Sequence, residues 1–179
     1  MKRLVMCEGP NELEIINILL ENDALVFGED ELLGLSAYHA RQIESNAQVR
    51  SQLDIYPNND VLVMRIGDKQ SDKLKIPAAY KNRIQDIRKY CTKPELEMLL
   101  IISEGLFQEY EKVKSHISPK SFAKENIRCG RKRYDNSSSF YRDYYGNDCS
   151  KLIDAIKDYK RLNGAHKNDE LYLADLLKP

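Results

Sequence analysis

Acidic side chains follow two predicted strands in this chain, at the point where each strand ends. Glu8 comes directly after a short apolar strand predicted at residues 3–7. Asp68 follows the apolar run 61–66, and Asp72 lies four residues further on. Convergent carboxylate oxygens suit Mg²⁺ or Mn²⁺, ions that polarise phosphoryl groups and activate water. The pattern therefore points to metal-assisted phosphoryl chemistry, provided that the fold brings these acids together.

A third acidic group, Glu95 and Glu97, stands where an apolar helix is predicted to begin. Acids in the first turn of a helix, or in the turn after a strand, are also ordinary residues that the helix dipole favours. The hypothesis thus rests on the combination of the three groups. The carboxyl ends of parallel strands open on one edge of a sheet, so we expect Glu8 and Asp68 to converge there if their strands are neighbours.

The elements that must position these acids have the pattern of an α/β domain. After the first strand, Asn11 is the predicted helix N-cap, and apolar residues recur at helical spacing as far as Leu20. Residues 37–53 are predicted to be largely helical. The near-continuous apolar run 61–66 is typical of a central parallel strand covered on both faces.

Helices are predicted over most of the remaining chain, and we expect one domain spanning residues 1–179. Its core would be residues 1–115, a mainly parallel sheet flanked by helices, followed by a helical C-terminal extension at 116–179. The predicted helices lie at about 78–91, about 95–114, from Pro119, at about 149–162 and at about 169–177.

The acidic positions resemble the motifs of TOPRIM domains. An apolar strand followed by Glu8 and Gly9, with Glu12 in the next helix, resembles the first TOPRIM motif. The second motif is an Asp-x-Asp after a later apolar strand, and the run ending in Asp68 is similar to it. The variant looks closer to the RloB-like, defence-associated TOPRIM-like group than to topoisomerases or primases. In that group a later helix begins with an acidic segment, and Lys93-Pro94-Glu95-Leu96-Glu97 resembles this third element.

This resemblance covers about residues 2–105 and implies Mg²⁺-dependent phosphodiester chemistry on nucleic acid. It implies that Glu8 is a general base or metal ligand, that Asp68 and Asp72 hold the metal, and that Glu97 or Glu95 completes the acidic cluster. The chain departs from the pattern at Gln70, where the second Asp of the motif would stand. That departure leaves open a TOPRIM-like module that binds nucleic acid or a partner ATPase without catalysis.

A basic and aromatic stretch at residues 128–145 is a second candidate functional region. It contains the densest basic cluster in the chain, next to a tyrosine: Arg128, Arg131, Lys132, Arg133 and Tyr134. Basic side chains contact phosphates and aromatic rings stack on bases, so this stretch is predicted to bind nucleic acid. The aromatic residues from Phe140 to Tyr145 also have helical spacing, which is equally typical of a helix packed on a core.

The charge balance, the cysteine and histidine positions and the apolar runs limit which kinds of site and partner we expect for this chain. The chain has 28 Lys and Arg and 28 Asp and Glu residues, so nucleic acid would have to meet a locally basic face. Four scattered cysteines and three scattered histidines form no structural zinc pattern, and no apolar run approaches the length of a membrane span. We expect a cytoplasmic protein. The leading hypothesis is a Mg²⁺-dependent nuclease or related phosphoryl-transfer protein that acts on nucleic acid, with defence against mobile elements as one setting for it. A small-molecule phosphate enzyme is the third alternative.

Overall fold

A five-stranded parallel sheet forms the centre of the fold in the computed structural model, which describes residues 1–68, 73–92, 95–162 and 170–179. Its strands are β1 (Lys2–Cys7), β2 (Tyr38–His39), β3 (Val61–Gly67), β4 (Ile84–Cys91) and β7 (Leu171–Tyr172), while β5 (Arg128–Cys129) and β6 (Lys132–Arg133) form a separate hairpin. The strand order in the sheet is β2-β1-β3-β4-β7, and every neighbouring pair is parallel. The coarse fold prediction, an α/β protein with a mainly parallel sheet flanked by helices, is confirmed.

Seven α-helices accompany the sheet in the described part of the chain. They are α1 (Pro10–Glu21), α2 (Ala47–Ile55), α3 (Met98–Ser103), α4 (Phe107–Val113), α5 (Pro119–Asn126), α6 (Ser138–Tyr145) and α7 (Cys149–Leu162). The N-cap of α1 is Gly9 rather than the predicted Asn11. Pro10 occupies the first turn, where its fixed φ suits a helix and its missing N–H is not needed. None of the described helices combines the length and the apolar character needed to cross a membrane.

The predicted helix at about 78–91 is wrong. A single 3₁₀ turn covers Ala78–Tyr80, and β4 follows it and pairs along its length with β3. The three-residue spacing of Ile84, Ile87 and Tyr90 imitates a helical period. Pairing with β3, a long apolar strand, decides the outcome, because β structure depends on its neighbours more than on local propensity.

The helical extension predicted at 116–179 is only partly present. The helices α5, α6 and α7 are there, and the bounds predicted for the last of them agree with the structure. In place of the helix at about 169–177, however, β7 pairs with β4 and a 3₁₀ turn follows at Leu173–Leu176. Residues 128–133 form a small antiparallel hairpin of β5 (Arg128–Cys129) and β6 (Lys132–Arg133). The end of the chain thus belongs to the central sheet.

Two other predicted helices are shorter than expected. The segment predicted at about 95–114 is divided into α3 and α4 by Gly105, whose positive φ of 71° is open to glycine at little cost. Within 37–53 the chain first forms β2, and α2 begins only after Asn46, whose side chain accepts the N–H of Val49.

The two faces of the sheet carry separate apolar clusters. The larger lies beneath α1, α3, α6 and α7, and includes the fully buried Phe140, Tyr141 and Tyr145 of α6. The aromatic spacing in this helix therefore reflects core packing. A smaller cluster, which includes Val49 and Leu53 of α2, covers the opposite face. With both faces covered, the carboxyl edge of the sheet is where polar side chains gather.

Candidate acidic site

Glu8 lies at the carboxyl edge of the sheet and is buried, with 8% of its surface exposed. Its backbone N–H donates to the carbonyl of Ile66 at 2.9 Å, which extends the β1–β3 pairing by one residue. Its carboxylate Oε1 lies 3.7 Å from Nη2 of Arg65, a buried residue of β3. Glu8 is thus a buried acid already paired with a cation, and no local pattern in the sequence marks Arg65 as its partner.

Gly67 makes room for the Glu8 carboxyl. A Cβ atom at this position would lie 2.2 Å from both Cδ and Oε2 of Glu8, far inside van der Waals contact. The last residue of β3 therefore has no side chain at the point where the Glu8 carboxyl crosses it. This close approach ties the positions of Glu8 and Asp68 together, since Asp68 is the next residue of the chain.

An open pocket of about 360 Å³ lies at the same edge, at the N-terminus of α1. Four acidic and two basic side chains contribute to its lining: Glu12, Asp68, Glu95, Glu97, Arg41 and Lys120. Glu8 is not part of the lining, but its neighbour Gly9 is, and the Glu8 carbonyl accepts a hydrogen bond from Nε of Arg41 at 3.2 Å. The structure thus brings Asp68, Glu95 and Glu97 to one pocket and leaves Glu8 buried beside it.

Glu12 shows that these acids influence one another. Burial raises the pKa of its carboxyl, and the negative charges of Asp68, Glu8 and Glu97 raise it further. A hydrogen bond from the Glu12 backbone N–H acts in the opposite direction. A carboxyl in this position keeps its proton to a higher pH than an exposed glutamate. A cation entering the pocket would reverse that effect, because it favours the ionised form.

Glu97 is buried, and its two oxygens have different environments. Oε1 accepts a hydrogen bond of 2.7 Å from the hydroxyl of Tyr134 and lies 4.0 Å from Nζ of Lys120. Oε2 has no hydrogen-bond partner within the described residues. Because Glu97 lines the pocket, this second oxygen is the one available to a ligand.

Glu95 has a structural partner of its own. Its Oε2 accepts the backbone N–H of Lys120 at 3.1 Å, in the first turn of α5. Pro119 lies in the same first turn. The backbone N–H groups of a first helical turn have no partner within the helix, and they favour a nearby carboxylate. Glu95 thus fixes α5 against the pocket, and α5 in turn places Lys120 in the lining.

The basic stretch forms a hairpin whose surface is mostly exposed. We use the name arginine hairpin for residues 128–133. Gly130 opens its two-residue turn with a φ of 58°, a conformation that glycine adopts readily. Arg128 and Arg133 are cross-strand partners, so their side chains share one face. These two and Arg131 are exposed and have no ion-pair partner among the described residues.

Lys132 and Tyr134 differ from the three arginines. Lys132 Nζ lies 3.4 Å from Asp143 and 3.8 Å from Asp135, so its charge is already compensated. Tyr134 is 2% exposed and packs edge-to-face on Phe140. Its predicted role in stacking on a base is wrong, because the ring lies in the core and its hydroxyl faces Glu97.

The metal-binding prediction for Asp72 falls outside the described residues, as does the comparison of Gln70 with a second motif Asp. Within the described ranges, no three His, Cys, Asp or Glu side chains lie close enough together to hold a metal ion. Glu12, Arg41 and Lys120 line the pocket as well, and none of the three is among the site residues predicted from the sequence. No local pattern marks Arg41 and Lys120, since tertiary structure alone brings them to the pocket.

Comparisons with protein-family models, with curated proteins and with solved structures found no match to this chain. The resemblance to TOPRIM domains therefore stays a prediction, carried by the acidic residues and their order along the chain.

Proposed function

We propose that this protein is a Mg²⁺- or Mn²⁺-dependent phosphoryl-transfer protein that acts on nucleic acid, with phosphodiester hydrolysis as its reaction. The observation that carries the proposal is the pocket at the carboxyl edge of the parallel sheet, where four acids meet two cations. Ligands of open α/β sheets bind at this edge. The acids suit a divalent ion, and Arg41 and Lys120 suit the phosphate that such an ion accompanies.

The side chains that line the pocket suit Mg²⁺, which keeps part of its water shell, better than an ion held entirely by protein ligands. Mg²⁺ keeps several waters and uses one or two carboxylates together with substrate phosphate, so three converging acids are not required. The ligands that we assign are Asp68 and Oε2 of Glu97, an oxygen without a hydrogen-bond partner in the described part of the chain. A bound ion would polarise the phosphoryl oxygen and acidify a water molecule.

Substrate binding is assigned to the arginine hairpin. Three exposed arginines without ion-pair partners among the described residues can contact phosphates at little desolvation cost. Helix α5 connects the pocket with this hairpin. It carries Lys120 at the pocket and Lys124 one turn later on the same face, and β5 follows directly. A phosphate backbone lying along these cations would reach the acidic pocket.

Cleavage assays test the proposal. Single- and double-stranded DNA and RNA are incubated with Mg²⁺ or Mn²⁺ and the wild-type chain, Asp68→Asn or Glu97→Gln. We expect cleavage of at least one substrate by the wild type, a loss of about 10²-fold or more in either variant, and full activity in Glu109→Gln, an exposed acid on α4. Absence of cleavage on all four substrates, or equal rates in all variants, would refute the reaction.

A non-catalytic module that binds nucleic acid or a partner ATPase is the second candidate. It is favoured by the pairing of Glu8 with Arg65, which leaves the first acid of the motif already neutralised. Mn²⁺ titration separates the two functions. The catalytic proposal requires an affinity for Mn²⁺ that Asp68→Asn weakens, whereas the binding module requires oligonucleotide affinity with no such metal dependence.

A further inference from the structure

Tyr134 connects the arginine hairpin to the acidic pocket. It is the residue immediately after β6, and its backbone N–H donates to the carbonyl of Ile127 at 3.1 Å, just before β5. Its ring is fixed edge-to-face between Phe140 and Tyr141, with centroids 5.2 and 5.8 Å away. The hydroxyl meets Glu97 in a buried hydrogen bond at the side of the pocket that Glu97 lines. Backbone and ring are therefore both held, and the hydroxyl has a defined position.

The direction of the hydrogen bonds follows from counting protons. The Tyr134 hydroxyl has one proton to donate and two acceptor oxygens in reach, Oε1 of Glu97 at 2.7 Å and Oδ1 of Asn136 at 3.1 Å. The proton goes to Glu97, because that contact is the shorter one and the carboxylate is a charged acceptor. The hydroxyl of Tyr141, 3.2 Å from that of Tyr134, is then the donor in the bond between the two tyrosines. The result is a buried series of hydrogen bonds that runs from Tyr141 through Tyr134 to Glu97.

We propose that Tyr134 is a positioning residue that holds Oε1 of Glu97 and thereby presents Oε2 to a divalent cation in the pocket. The inference rests on the proposed function, because it assigns Tyr134 a role in that same site. A glutamate side chain loses rotational freedom when one oxygen is fixed by a rigid donor. The cation then meets a carboxylate that is already oriented, and outer partners of this kind strengthen metal binding.

Calorimetric titration with Mn²⁺, on the full chain, tests this role. The variants are Tyr134→Phe, Glu97→Gln and the two combined. Tyr145→Phe is the matched control, since Tyr145 is equally buried on the same helix as Tyr141 and its hydroxyl meets Ser103 at 2.8 Å instead of Glu97. We expect Tyr134→Phe to weaken Mn²⁺ binding about 10- to 100-fold and Tyr145→Phe to change it less than about twofold.

The double variant distinguishes positioning from a general structural effect. If the Tyr134 hydroxyl acts only through Glu97, the combined variant binds Mn²⁺ no more weakly than Glu97→Gln alone. Additive losses would overturn the inference, as would Tyr134→Phe binding within twofold of the wild type. A wild-type chain that binds no Mn²⁺ would overturn the proposed function as well, so the two failures are distinguishable.

Circular dichroism confirms that each variant is folded before titration. Should Tyr134→Phe fail to fold, Tyr141→Phe decides, because it keeps Tyr134 and removes only the hydroxyl that donates to it. We expect its Mn²⁺ affinity to be weaker than that of Tyr145→Phe. An affinity equal to that control would overturn the inference.

Discussion

Replacing Arg65 by Met isolates the buried charge of Glu8. Arg65 is 4% exposed and Glu8 8%, and the guanidinium Nη2 lies 3.7 Å from the carboxylate. Arg65 also donates to the carbonyl of Arg41 at 3.4 Å, a long contact of small energetic weight. Methionine keeps much of the arginine volume and removes the charge. The main consequence is a carboxylate that stays buried without its cation.

The expected cost follows from that burial. Removing one partner of a buried ion pair destabilises a protein by about 3–5 kcal/mol, because the remaining charge is not compensated. Natural domains have a free energy of unfolding of about 5–15 kcal/mol, so this change takes a large part of it. For a chain of this size the loss corresponds to a decrease in melting temperature of about 6–20 °C. Glu8→Gln in the same background removes the buried carboxylate charge and should recover about 2 kcal/mol.

Urea unfolding at pH 7, followed by circular dichroism, measures both effects. The comparison needs the wild type, Arg65→Met, Glu8→Gln and the double variant, so that the coupling free energy is obtained directly. A cost below about 1 kcal/mol for Arg65→Met would refute the reasoning, since it would mean that water already compensates Glu8. Strict additivity of the two single variants would refute it as well, because the pair would then have no energetic coupling.

Three further predictions concern the pocket and the hairpin. The pKa of Glu12 is raised above its ordinary 4.5, so wild-type stability falls as pH rises through the interval above 4.5. Glu12→Gln should therefore stabilise the protein at pH 7 but not at pH 4 in urea unfolding, by about 1.4 kcal/mol for each unit of the shift. Gly67→Ala should cost about 1–3 kcal/mol in the same assay, because its Cβ displaces the Glu8 carboxyl. Replacing the three exposed arginines of the arginine hairpin by Gln should weaken oligonucleotide binding and lower the salt slope in fluorescence anisotropy by about 2–3, whereas the exposed Lys157→Gln should change neither.

Local sequence patterns were sufficient for the elements nearest the site. The first strand, the central strand and the helix beginning at Pro119 occur where their apolar runs and turn residues indicated. The position of Glu8 and Asp68 at one edge of the sheet also followed from general rules, since β1 and β3 are parallel neighbours and parallel strands end at the same edge. These features depend on short stretches of chain or on a rule that holds for the whole class of folds.

Other parts depend on distant residues and had no local signal. β4 has a helical apolar spacing and becomes a strand because β3 is beside it. Two-residue β7 is recognisable only through its pairing with β4. Arg41 and Lys120 reach the pocket from the segment after β2 and from α5, so neither could be assigned from spacing. Tyr134 was misread because a basic neighbourhood in sequence does not show whether a side chain points outward.

The acids of this edge are not chemically equivalent, and their partners separate structural from functional roles. Glu8 is paired with Arg65, and Glu95 accepts an N–H of α5, so both have a structural role in the folded protein without any ligand. Glu97 has one oxygen held by Tyr134 and one without a hydrogen-bond partner among the described residues. Burial, and after it the neighbouring negative charges, raises the pKa of Glu12. A cation in the pocket would therefore stabilise the ionised carboxylates of Glu97, Glu12 and Asp68. We therefore expect the chemistry of the site to take place at the side of the pocket formed by α1 and the segment before α3. Glu8, at the end of β1, contributes to the folded structure next to that pocket.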